Sequence, residues 1–432
     1  MRIFKNPIFT TDAWLWVLFE RSRLQQAVMD FRQCNLELGD FVPILLWSTA
    51  LTRQDLGNIV RNISEESSPA SQNAQSFLPH IRIREVAEYS NSTVHDSDTL
   101  EFSPLPDARQ VFASISSTGM VTEAIPKARV EFKYYRPCGD YGQNLEDDPI
   151  GKSTSEIGGE LQSKDPLIAQ AHQLARLLFE AGSHEFHTLP FRGYLNDPSS
   201  SRFAFYFDYP QDVSDHEPTT LHRLIEDGNG ASRLYLPQRF KIALTISRAL
   251  GAFHADGWVH KSVRSHSVIF FYNNENQSMY DKPYLVDFEF SRPDAGATLL
   301  AFDDDLERNL YRHPDRQELP IIGFNKMHDV YALGIVLLEL GLWQTARSIY
   351  DTARKEGREA SVRNATRMQG TYLACARKDI GHIMGPDYLE AVITCLSGEL
   401  SEFLNKKDFA FMFWKKVVEK VDPRRLLNSA SE

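Results

Sequence analysis

Hydrophobic and polar positions change their period several times along this chain, and each change marks an element. Between Thr11 and Trp47, the apolar residues Trp14, Leu18, Leu24, Val28, Phe31 and Leu38 recur at roughly helical spacing. That spacing predicts a helical segment with one apolar stripe. Residues 63–99 are rich in Ser, Asn and Glu and read as a linker. Two runs of β-branched and aromatic residues follow, 111–117 and 128–135, and predict short strands. After a polar loop, 136–164, a helix is expected. Asp165 stands at its N-cap, Pro166 at its first position and Gly182 just past its end, with Leu167, Ala171, Leu174 and Leu178 on one face. Strands are predicted over 186–194 and 202–209, joined by a turn at 196–201.

Beyond the connector 210–218 the helical period returns. Leu236 to Ala255 opens with Pro237 and carries Phe240, Ala243, Ile246, Leu250 and Phe253 on one side. Asp329 to Leu340 is almost wholly apolar and is expected to end at Gly341. Strands with one helix first, then a mostly helical body, is an α+β order.

Composition narrows the class. A content of 42% hydrophobic and 11% aromatic residues can fill a sizeable core. A net charge of -11 opposes binding of nucleic acid by the protein as a whole. The four cysteines, Cys34, Cys138, Cys375 and Cys395, form no CxxC pair, which fits a reducing compartment. The first residues lack the apolar run of a signal peptide, and the most apolar window, 41–51, is too short to span a bilayer. A cytoplasmic protein is expected.

The candidate chemistry lies between Gly257 and Pro293. Residues 257–271 read Gly-Trp-Val-His-Lys-Ser-Val-Arg-Ser-His-Ser-Val-Ile-Phe-Phe, and 284–293 read Tyr-Leu-Val-Asp-Phe-Glu-Phe-Ser-Arg-Pro. Together they resemble the catalytic and metal-binding loops of a protein kinase, whose signatures are His-Arg-Asp-Leu-x-x-x-Asn and Asp-Phe-Gly. His260 matches the His. Ser262 stands at the catalytic Asp, Ser267 near the metal-binding Asn, and Arg264 where many kinases place a phosphate-contacting Lys. Asp287 and Phe288 match the second signature, and Glu289 replaces its Gly. Lys133, in Val-Glu-Phe-Lys at 130–133, is the candidate for the strand Lys that holds the nucleotide phosphates. The helix 165–182 offers that Lys no mid-helix Glu partner. No glycine-rich loop precedes it, because Gly119 is the only glycine between Ser97 and Val130. A serine hydroxyl is uncharged and a poor base at neutral pH, so the match implies a kinase frame without its acid-base group.

Further strings sharpen the resemblance: Tyr-Arg-His-Pro at 311–314 and Asp-Val-Tyr-Ala-Leu-Gly-Ile-Val-Leu-Leu-Glu-Leu-Gly-Leu-Trp at 329–343. The chain is similar to the kinase-like domains of fungal proteins that carry an N-terminal helical domain of the HeLo or prion-inhibition-and-propagation type. The resemblance implies a two-lobed kinase-like fold over residues 111–432, with a small β-rich lobe at about 111–210 and a helical lobe at about 219–425. Residues 1–60 would be a remnant of the helical domain and 61–110 a linker. The implied function is a pseudokinase module for signalling or scaffolding, with protein partners, in fungal non-self recognition or cell death. Peripheral membrane association would run through the N-terminal helical domain. Two alternatives stay open: an atypical kinase that transfers phosphate from ATP to protein, and a nucleotide-binding switch without transfer. ATP and Mg²⁺, where bound, would be held by Lys133, Asp287 and Ser267.

Overall fold

The computed structural model describes residues 78–89, 128–134, 166–182, 186–197, 200–227, 234–294, 305–317, 322–356, 365–404 and 408–424. The chain divides into two compact units, 1–51 and 52–432, and every described residue lies in the second. The expected helix at 11–47, strand at 111–117 and loop at 136–164 lie outside the described residues.

Among these residues, strands and helices are mixed. In chain order, α1 (Leu78–Tyr89) precedes β1 (Ala128–Tyr134), α2 (Pro166–Ala181), β2 (Phe191–Asp197) and β3 (Arg202–Asp208). These three strands form an antiparallel sheet in the order β1-β3-β2, with Arg129, Glu131 and Lys133 opposite Phe207, Phe205 and Phe203. The central strand β3 is buried from Phe203 to Phe207, which explains its run of aromatic residues. The strand expected over 186–194 starts later than its apolar residues imply, at Phe191 rather than Phe186. His187 adopts a left-handed backbone and Pro190 has no N–H to give a ladder.

The linker expectation for residues 61–110 needs correction at α1. Ile81, Ile83, Val86 and Ala87 are buried against α2 and the segment after residue 255. His80 pairs with Asp256 at 3.0 Å, both buried, and the Trp258 indole donates to the Ile83 carbonyl at 3.3 Å. Polar flanks on both sides of α1 disguise an apolar element short enough to be overlooked.

The remaining elements are β4 (Thr219–Thr220), α3 (Leu221–Glu226), α4 (Leu236–Ala255), β5 (Trp258–Val259), β6 (Val268–Phe270), β7 (Tyr284–Leu285), β8 (Arg292–Pro293), α5 (Leu306–Asn309) and α6 (Lys326–Leu342). They are followed by α7 (Ala346–Lys355), α8 (Ala365–Cys375), α9 (Gly381–Met384), α10 (Pro386–Ser397) and α11 (Phe409–Phe413). Helix α4 has the expected bounds, with Pro237 at its second position.

Helix α6 is the axis of the helical part: every residue from Met327 to Gly341 is buried. It starts three residues before the expected Asp329, because the Asn325 side chain caps the Met327 N–H at 2.9 Å. It ends where Trp343 turns left-handed, φ 57°. The Arg239 guanidinium closes that end, donating to the carbonyls of Leu340 and Gly341. Gly334 lets α10 approach: a Cβ there would lie 2.7 Å from the Cys395 Cβ and 3.1 Å from Leu396. The Cys395 Cβ is fixed to its backbone and cannot swing aside. Gly334→Ala is therefore expected to cost about 1–3 kcal/mol through overpacking, read as a lower urea midpoint at unchanged m-value. A midpoint at or above the wild-type value would show that α6 and α10 can separate freely.

Candidate functional site

The site is assembled around Asp329, in the first turn of α6. Its carboxylate accepts the backbone N–H of His260 at 2.7 Å and of Lys261 at 2.8 Å, and the His254 Nε2 lies 3.2 Å away. Burial works against the charge on Asp329, but these donors outweigh it and hold the carboxyl below its ordinary range. Strands β5 and β8 pair on either side of the loop, and the Ser291 hydroxyl donates to the His260 carbonyl at 3.0 Å. Loop 260–267 is thus fixed by backbone contacts.

His260 is buried, and burial lowers its imidazole to about 4. Its Nδ1 accepts the Ser262 N–H at 3.2 Å, and its ring packs against Phe288 at 4.6 Å. A ring so held is neutral at physiological pH and acts as a bracket between the two loops. Ser262 is half-buried. Ser267 is fully buried and closes a turn: its hydroxyl donates to the Arg264 carbonyl at 2.8 Å and accepts the Arg264 N–H at 3.0 Å. The Val286 N–H then donates to the Ser267 carbonyl at 2.9 Å, tying the first loop to the second.

Strand β1 meets this pair of loops with one face. Side chains two apart on a strand point the same way, so Arg129, Glu131 and Lys133 form a row, with Phe132 on the other side under Arg202. The Arg129 guanidinium donates to Asp287 Oδ1 at 2.6 Å, and Arg264 donates to Asp287 Oδ2 at 3.3 Å. Each carboxylate oxygen of Asp287 therefore faces a guanidinium. Glu131 is buried, and its two oxygens accept the backbone N–H groups of Asp287 and Phe288, both at 2.8 Å. Arg129 also donates to Glu131 at 2.9 Å. Lys133 donates to the Glu289 carbonyl at 2.7 Å. Asp287 itself has a left-handed backbone, φ 70°, a conformation that the two bonds flanking it help to hold.

Burial sets the proton affinities of this row. Lys133 is lowered to about 8 by burial, although the Glu289 charge opposes the shift. Glu289 is raised to about 7, by burial first and then by Asp287 and Glu131. Burial also raises Glu131, against the pull of Arg129. Nearby, Lys261 is lowered to about 7 by burial and by the cations Arg292, Lys133 and Arg316.

Of the expected site residues, the structure brings Lys133, Arg264, Asp287 and His260 into one neighbourhood, with Ser267 reaching it through the backbone of Val286. Arg129 and Glu131 escaped the sequence reading. Their signal was present, because they stand four and two residues before Lys133 on the same strand face.

One group among the described residues, His313, Asp315 and His328, has three ligand-type atoms within 4.8 Å of one another. It does not fit a metal as arranged. The Nδ1 of His313 accepts the Asp315 N–H at 3.2 Å, and that of His328 accepts the Asn325 N–H at 3.0 Å. A neutral imidazole that accepts at Nδ1 carries its hydrogen on Nε2, leaving no lone pair for a cation.

The model of the domain of unknown function DUF7580 matches residues 187–421, more than half of the chain. The chain belongs to the DUF7580 family. The matched region holds both loops, α4 and α6, whereas the β1 residues that clamp Asp287 lie outside it. Among solved structures, the chain is similar to the kinase PK-1 of Cydia pomonella granulovirus, at 18% identity and a TM-score of 0.37, over 55% of this chain and 78% of that one. No curated protein matches the chain. Among the described residues, no helix is long and apolar enough to cross a membrane.

Proposed function

We propose that this chain is a two-lobed, kinase-like module that has given up phosphoryl transfer and works in signalling or scaffolding by binding other proteins. One observation carries the reading: the Asp287 carboxylate, expected to hold a metal ion, is engaged on both oxygens by the guanidinium groups of Arg129 and Arg264. Kinases hold a nucleotide with metal ions and need a carboxylate to orient the acceptor hydroxyl. Here Ser262 stands at that carboxylate's place. The Ser267 hydroxyl is engaged with the Arg264 backbone. Glu131 lies two residues before Lys133, where the kinase strand motif Val-Ala-Ile-Lys has a small Ala. A buried carboxylate beside the phosphate-binding position would repel a nucleotide. The residues present therefore do not fit ATP with Mg²⁺, and no step is assigned to either. The expected link to a HeLo-type helical domain and to fungal non-self recognition or cell death is part of the same proposal, supported by the sequence strings at 257–293 and 311–343.

A thermal-shift titration with ATP, with and without Mg²⁺, tests the reading. A ligand at about one hundred times its Kd adds about 2.7 kcal/mol of stability, an effect easily seen. No shift is expected under either condition, and no transfer of radiolabelled phosphate. Transfer that disappears in Asp287→Ala would overturn the proposal. A metal-dependent shift without transfer would favour the nucleotide switch instead.

A further inference from the structure

Strand β1 contributes four side-chain contacts to a segment more than 150 residues away, and each has a separate target. Arg129 meets the carboxylate of Asp287, Glu131 the backbone amides of Asp287 and Phe288, and Lys133 the carbonyl of Glu289. Three successive residues, 287–289, are thus gripped by three alternate residues of one strand. Charge complementarity runs along the row, with cation on carboxylate, carboxylate on N–H and cation on C=O. Hydrogen bonds with one ionised partner are the stronger kind, and Glu131 makes its bonds where water is excluded.

Segment 287–294 also has holds of its own: Phe288 packs against Phe253 and His260, the Ser291 hydroxyl donates to the His260 carbonyl, and β8 pairs with β5. Its amides include the Ser291 N–H, bonded to the Phe288 carbonyl, and the Asp294 N–H, bonded to the Gly257 carbonyl, both at 2.8 Å. We propose that β1 is a built-in occupant of the site, in which Arg129 takes the place of a divalent cation on Asp287 and Glu131 latches the 287–288 backbone. The proposal rests on the non-catalytic, kinase-like reading above and adds a regulatory device to it. Release of β1 unlatches residues 287–289 and takes one of the two guanidinium groups off Asp287, opening its Oδ1 to cations. Among the described residues β1 pairs with β3 alone, so its release breaks that one ladder.

Two measurements on the full chain test this, neither of which needs nucleotide. The first is hydrogen exchange of the 287 and 288 amides in Glu131→Ala. Loss of both acceptors is expected to speed exchange there by about tenfold or more. The Val286 amide, bonded to Ser267, is expected to keep its wild-type rate. Amides of α6 report whether the variant is folded. If they lose protection, Glu131→Gln carries the test, because it keeps one acceptor oxygen and should free one of the two amides. The second measurement is a thermal shift with Mn²⁺. Arg129→Ala is expected to gain a Mn²⁺-dependent shift that the wild type lacks, and Arg129→Lys is expected not to gain it.

Wild-type exchange at 287 and 288 in a folded Glu131 variant would overturn the latch. A Mn²⁺ shift equal in wild type and Arg129→Ala, or absent from both, would overturn the cation role of Arg129. Phosphate transfer by the wild type would defeat the non-catalytic reading while leaving the exchange result to stand or fall by itself.

Discussion

Asp329→Ala is expected to destabilise the protein by about 3–5 kcal/mol, the usual cost of removing one partner from a buried charged network. Three donors lose their acceptor at once: the His260 and Lys261 amides and the His254 ring. All three groups are buried or nearly so, and water cannot replace the carboxylate. Against a total stability of about 5–15 kcal/mol, the loss should show as a large drop in the urea midpoint. Asp329→Asn keeps one acceptor oxygen and should fall between wild type and alanine. If the alanine variant unfolds at the wild-type urea concentration, the loop is held by other contacts and the anchoring role is wrong.

The second large effect is a pH dependence confined to one side chain. Glu339 lies wholly buried in α6, where its carboxylate accepts the Tyr311 hydroxyl at 2.8 Å and the Ala346 N–H at 2.7 Å. Burial raises it from 4.5 to about 7, against those bonds. The unfolded chain gives up this proton above 4.5, while the native protein keeps it until about 7. Native protein therefore binds more protons in that window, and stability falls as pH rises through it. The loss amounts to about 3 kcal/mol once both states are ionised. Glu339→Gln cannot titrate. Its stability relative to wild type should increase by about 3 kcal/mol between pH 4.5 and about pH 8. Any constant cost of the substitution cancels in that difference. A relative stability that stays flat across the range would show that Glu339 is not held protonated.

Much of the frame was legible in the sequence because its cues are local. Pro237 and the 3.6-residue stripe from Phe240 to Phe253 fixed α4. The aromatic run at 203–207 marked a strand, and the apolar run from 330 to 340 marked α6. The departures lie where local cues compete with distant ones. Helix α1 hides in a polar stretch, and only the packing of Ile81, Ile83 and Val86 reveals why it forms. The start of β2 is delayed by His187 and Pro190, which apolar alternation alone does not register.

At the site, residue types were readable but pairings were not. Asp287 and Lys133 were recognised from their strings, and Lys133 does face away from Phe132. The bonds that decide the chemistry join residues 156–158 positions apart. No pattern within either string specifies them. The Lys133 ammonium rests on the backbone carbonyl of Glu289, the residue that replaces the Gly of the second signature. The strand Lys, for which no helix Glu could be found, donates to a backbone carbonyl instead.

The family region opens at residue 187, yet β1 pairs with β3 along its whole length from Ala128 to Tyr134. A recombinant fragment trimmed to that boundary would expose the outer side of β3, with Phe203, Phe205 and Phe207 no longer covered by their neighbour. An apolar, unprotected edge of this kind is a template for self-association, so insoluble material from such a fragment would reflect where it was cut and not the stability of the whole protein.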